Sequence, residues 1–180
     1  MLPGKGLKTN RMIPSPSRKN LISKSTEPQT AEGAYQYALR LLTARDYSLA
    51  RMRVKLCARG VDEADVESVM HRLQQEGWLD DRRYAGRFAE SALATGRFYG
   101  PRLRLEMRRR GFEAGIISEV LENLLEDHDQ AADIMMVVNR RYPGLDFSAA
   151  SDRDKRRVVG YLQRRGFGLS EIFRSLRTTR

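Results

Sequence analysis

Three glycines, Gly60, Gly111 and Gly166, stand at the same point of a pattern that the chain repeats at intervals of 51 and 55 residues. Eight residues before them are Met52, Leu103 and Val158, and four before are Leu56, Met107 and Leu162. One residue after come Val61, Phe112 and Phe167, six after come Val66, Ile117 and Ile172, and ten after come Met70, Leu121 and Leu176. All are apolar in a chain whose hydrophobic content is only 41%. Chance does not place apolar residues so regularly, so the chain is read as a tandem array of one structural unit.

The spacing specifies helices. Val66, Val69, Met70 and Leu73 fall on one face at i, i+3, i+4 and i+7, and Ile117, Val120, Leu121 and Leu124 repeat that template. Upstream, Ala34, Tyr37 and Leu41 align with Ala85, Phe88 and Ala92 as a first helix of the unit. Each glycine ends a middle helix, where a left-handed residue closes the last turn. Asp62 and Asp80 read as caps for the helices that follow them. Trp78 is expected to plug the junction between the first two units. The predicted fold is all-α, with three tandem three-helix repeats at 31–79, 80–128 and 129–180 forming an elongated, curved array. The connection YPGLDFSAAS at 142–151 lengthens the third copy.

Charge is sorted by helix. The first middle helix carries Arg51, Arg53, Lys55 and Arg59 without an acid. The second carries Arg102, Arg104, Arg108, Arg109 and Arg110 with Glu106 alone, and the third carries Arg153, Lys155, Arg156, Arg157, Arg164 and Arg165 with Asp154. The segment 113–129 reverses this, with Glu113, Glu119, Glu122, Glu126, Asp127 and Asp129 and no lysine or arginine. Arginine in a last turn opposes the helix dipole, which accounts for Arg59, Arg110 and Arg165 without a partner. Ten of the others define a candidate basic stripe: Arg51, Arg53, Lys55, Arg102, Arg104, Arg108, Arg109, Arg156, Arg157 and Arg164. Repeated units align equivalent helices, and a net charge of +10 favours a polyanionic partner. Contacts of this kind are salt-sensitive and largely blind to base sequence.

Other classes of function find little support. The two histidines, His71 and His128, are far apart, and no phosphate loop, nucleophile motif or paired-cysteine motif occurs. The acidic run EDHD at 126–129 cannot direct four adjacent side chains at one ion, so no metal or cofactor is expected, and no catalysis. The single Cys57 suits a reducing cytoplasm. The longest apolar run, 134–138, is far short of the roughly 20 residues of a membrane span. Residues 1–30, rich in proline and base, read as a disordered basic arm. A basic helix, a glycine turn and another helix also outline a sequence-specific helix-turn-helix regulator of transcription. In that motif the helix after the turn enters the groove, and here it is acidic in two copies.

Three segments carry a family likeness: SLARMRVKLCARGV at 48–61, GWLDDRRYA at 77–85 and GPRLRLEMRRRGF at 100–112. With them, residues 34–128 resemble the RecX regulators of the RecA recombinase, and the likeness extends more weakly to the end. Cys57 stands where a polar residue is common in that family, the arm lies outside the shared core, and the third repeat matches least. The resemblance implies about nine helices in three tandem repeats. It also implies a monomer that occupies the helical groove of the RecA nucleoprotein filament. There it would suppress ATP hydrolysis, coprotease activity and strand exchange, and so act in homologous recombination, DNA repair and the SOS response. Single- or double-stranded DNA without sequence preference is a further implied partner.

Overall fold

The pattern around each glycine becomes a set of three helices. The computed structural model describes residues 30–126 and 128–177, and these form nine α-helices with no strand among them. The first three are α1 (Ala31–Ala44), α2 (Leu49–Cys57) and α3 (Glu63–Gln75). Next come α4 (Asp81–Ala94), α5 (Gly100–Arg109) and α6 (Ala114–Leu125). The last three are α7 (Gln130–Arg141), α8 (Asp152–Arg165) and α9 (Leu169–Arg177). The basic arm expected over 1–30 falls, apart from Thr30, outside the described residues.

Polar side chains set many of the helix starts. Thr30, Ser48, Asp80, Asp129 and Ser151 each accept a hydrogen bond from a backbone N–H of the first turn that follows. Such caps contribute about 1 kcal/mol each. Asp62 occupies the expected cap position of α3 but makes no capping hydrogen bond. The connection between α7 and α8 spans 142–151, as the extra length in the third copy requires, and Asp146 organises it by accepting from the N–H groups of Ser148 and Ala149.

Every apolar position of the repeat pattern faces the core. The residues eight and four before, and one, six and ten after, each of the three glycines are all buried. The third helix of each set packs against the first and second: α1 and α2 contact α3, α4 and α5 contact α6, and α7 and α8 contact α9. The side chains form two clusters. One is confined to α1–α3 with Val61 and Leu79, and the other runs without a break through α4–α9.

Trp78 corrects an expectation. Its side chain is 48% exposed, whereas the neighbouring Leu79 is 2% exposed and closes the core of α1–α3. The chain leaves α3 through Gly77, at φ +74°, and the N–H groups of both Trp78 and Leu79 donate to the carbonyl of Leu73. That geometry turns one of two adjacent side chains inward, and the narrower leucine occupies the gap.

Candidate partner-binding surface

The middle helices meet end to end. The turn at Gly166, which closes α8, lies against the start of α5: the Tyr99 N–H donates to the Arg165 carbonyl at 2.8 Å, and the Tyr99 and Phe167 rings stack at 3.9 Å. The turn at Gly111, which closes α5, lies against the start of α2, where the buried Ser48 hydroxyl donates to the Arg110 carbonyl. A methyl at Gly111 would lie 3.0 Å from the Ala50 Cβ, and one at Gly166 would lie 2.1 Å from the Tyr99 carbonyl oxygen. At Gly60 the same added atom would meet nothing within 4 Å. All three glycines have positive φ, but only the second and third are also pressed against a neighbouring helix. The order along this series is α8, α5, α2, with each helix C-terminus facing the next N-terminus. Opposed dipole ends make that junction favourable.

A further bond crosses the first junction. Asp81, in α4, accepts from the N–H of Leu49, the first residue of α2, at 2.8 Å. It caps a helix of the preceding set rather than its own, while Asp80 caps α4 through the Arg83 N–H. Asp81 is buried, and burial raises its pKa above the ordinary carboxylate value despite the opposing Leu49 hydrogen bond. At the second junction, burial pushes the Tyr99 phenol well above its usual range, and the hydroxyl donates to the Leu93 carbonyl.

The basic residues divide into engaged and free groups. Arg51 donates to the Arg109 carbonyl across the first junction at 2.6 Å. Arg53 pairs with Glu67, and with Glu63 at 3.9 Å. Arg102 and Arg109, together with Arg110, surround the Glu106 carboxylate at 2.8, 3.0 and 3.5 Å. Arg104 donates to the Ser118 hydroxyl at 3.1 Å. Lys55, Arg108, Arg156, Arg157 and Arg164 are exposed and make no ion pair among the described residues.

Spacing from the glycines does not by itself make this division. Arg51, Arg102 and Arg157 stand nine residues before them, and Arg59, Arg110 and Arg165 stand one before. The first two of the former group lie at junctions, and Arg157 does not. In the latter group, Arg59 lies 4.3 Å from the Tyr37 ring centroid and Arg110 lies 3.8 Å from that of Phe88, matched positions of α1 and α4. Last-turn placement alone did not reveal these ring contacts. Composition also missed Val54 and Leu105, which stand six residues before successive glycines and are 61% and 41% exposed among the bases.

Among the described residues no cluster of three or more histidine, cysteine or acidic side chains could hold a metal ion. No described helix is long and apolar enough to cross a membrane.

Comparison with known proteins gives a consistent picture. Residues 34–73, which lie in α1–α3, match the family model described as RecX, first three-helix domain. The regulatory protein RecX of Trichlorobacter lovleyi is 42% identical over 142 residues, covering 79% of this chain and 92% of that protein. The protein of the same name from Syntrophotalea carbinolica is 36% identical over 140 residues, covering 78% and 92%. The crystal structure of RecX from Lactobacillus salivarius superposes with a TM-score of 0.67 at 18% identity, over 82% of this chain and 94% of that one. At that identity the structural likeness speaks to the fold.

Proposed function

The chain belongs to the RecX family of regulatory proteins, and from that premise we propose that it is a non-catalytic inhibitor of the RecA recombinase. It lodges as a monomer in the groove of the RecA–DNA filament and suppresses ATP hydrolysis, coprotease activity and strand exchange. The observation that carries this reading is the end-to-end series α8–α5–α2, which lines up three arginine-bearing helices with their bases at repeated distances from the glycines. The reading divides the chain into units at 31–79, 80–128 and 129–180, each supplying one helix of the series.

The contact residues follow from the chemistry of the stripe. Lys55, Arg108, Arg156, Arg157 and Arg164 are the ones with a charge to offer, whereas Arg51 ties α2 to α5 and Arg53, Arg102, Arg104 and Arg109 are engaged within their own three-helix sets. Exposed Val54 and Leu105 among the bases suit a surface that is part protein and part phosphate. A helix-turn-helix reader of base sequence is disfavoured, because α3 and α6 expose Glu63, Glu67, Glu119 and Glu122 where such a helix would face phosphates.

The test is the DNA-dependent ATPase of RecA. The intact chain should inhibit it, and a variant with Lys55, Arg108, Arg156 and Arg157 changed to glutamate should inhibit at least about tenfold less potently, since charge reversal turns several phosphate contacts repulsive. Full inhibition by that variant, with its helicity unchanged, would remove the stripe from the mechanism. No inhibition by the intact chain would overturn the functional reading itself.

A further inference from the structure

A cavity of about 720 Å³ opens where α4, the end of α5, α7 and α8 converge. Five arginines, Arg97, Arg110, Arg140, Arg141 and Arg165, reach it from four parts of the chain, and among the described residues no carboxylate lines it. Among the described residues, side-chain hydrogen bonds tie two of these arginines to the structure. Arg165 donates to the Gly96 carbonyl at 2.5 Å and to the Tyr161 hydroxyl at 2.7 Å. Arg110 donates to the Glu106 carbonyl at 3.1 Å. Arg97, Arg140 and Arg141 are exposed and make no ion pair among the described residues. Guanidinium groups left without counter-charge around a concavity concentrate an anion there.

The walls say more than charge. Tyr84, Phe88 and Tyr161 contribute aromatic surface, and the Arg110 guanidinium carbon sits over the Phe88 ring, 3.8 Å from its centroid, adding a cationic group to that surface. Counted from their aspartate caps, Phe88 of α4 and Val137 of α7 hold the same position, and the smaller valine leaves space beside the arginines. The volume is far larger than a bare phosphate needs and falls in the range of small-molecule sites, roughly 300–1,000 Å³. Arginine forks bind phosphate oxygens in pairs, while aromatic rings and guanidinium planes stack nucleobases. An acidic peptide would use the charge but not the rings.

We propose that this cavity binds a nucleoside phosphate, with Arg97, Arg140 and Arg141 on the phosphates and the base against the Phe88–Arg110 and Tyr161 surfaces. The unit comes either from a free nucleotide or from one residue of a single strand. The site lies outside the residues assigned to the stripe and is independent of the filament reading, because the isolated chain suffices to test it.

The experiment measures binding of fluorescent adenosine triphosphate and of a labelled short oligothymidylate to the full chain. Each is titrated against wild type, an Arg140→Ala/Arg141→Ala variant and an Arg40→Ala/Arg153→Ala variant that removes two exposed charges elsewhere. The first variant should weaken at least one probe about tenfold, the loss of one or two charge-assisted contacts, and the second should change it less than about twofold. Loss with the triphosphate identifies a free nucleotide as the source, and loss with the oligonucleotide alone identifies the strand. Equal losses in both variants would reduce the effect to net charge and overturn the site. So would equal displacement by inorganic pyrophosphate or by an oligoglutamate peptide, or wild-type binding by the first variant.

Discussion

An alanine at Gly166 would force a methyl group to 2.1 Å from the Tyr99 carbonyl in a residue already at φ +106°. At Gly60 the same change meets open space and bears only the left-handed penalty of about 1–2 kcal/mol. Gly166→Ala should therefore lower the melting temperature by several times more than Gly60→Ala, with equal effects arguing that the junction contact is not made. Asp81 offers a second contrast. Its folded pKa is raised, so the folded state holds the proton more tightly than the unfolded one. Its contribution to stability therefore falls as pH rises from the ordinary carboxylate value through the raised one, and stays reduced above. Asp81→Asn keeps an acceptor for the Leu49 N–H and removes that loss, so it should match or exceed wild type at neutral pH. Asp81→Ala discards the cap and should lose about 0.5–2 kcal/mol. Denaturant melts of both variants at acidic and neutral pH decide the matter.

At the scale of helices, the arginines separate into those that join elements and those that face outward. Arg51 sits at the start of α2 and donates to the carbonyl of Arg109, the last residue of α5, whereas Arg108 has no such bond among the described residues. Arg51→Met should destabilise by about 1 kcal/mol, and Arg108→Met should leave the melt unchanged; a reversed order would show that the junction does not depend on Arg51. This division explains what the sequence could and could not reveal. Periodicity around the glycines located the helices and their buried faces, because burial obeys local spacing. The pairs of Arg102 and Arg109 with Glu106 lie within α5 at i,i+4 and i,i+3 and obey the same local spacing, whereas the partner of Arg53 depends on where Glu67 of α3 comes to lie and that of Arg51 on a helix fifty-odd residues away. Trp78 failed for a related reason: residue size argued for burial, but the Gly77 turn decided which neighbour faced inward. The cavity was equally hidden, since its arginines are scattered from 97 to 165.

Across the whole molecule, stability is distributed unevenly. The apolar cluster of α1–α3 is separate, while α4–α9 share one continuous core that includes the Tyr99–Phe167 stack. Hydrogen exchange under mild denaturant should show the amides of α1–α3 opening as one group and those of α4–α9 as another. Three independent groups would mean that the second and third sets do not share a core. The threefold sequence pattern does not foretell this, because equal units can be fastened unequally. Between α1–α3 and the rest, the described fastening is largely polar: Ser48 to Arg110, Arg51 to Arg109, Leu49 to Asp81 and Arg87 to Asp46. Each junction also has a polarity, since a glycine turn from the later set is seated on the helix start of the earlier one, whereas a methyl at Gly60, also at positive φ, would meet none of the described residues within 4 Å. Such a coupling works like a plug and socket moulded into every module. It fixes the direction of growth but not the number of modules, so a lineage can gain one by duplication without recasting any joint it already has.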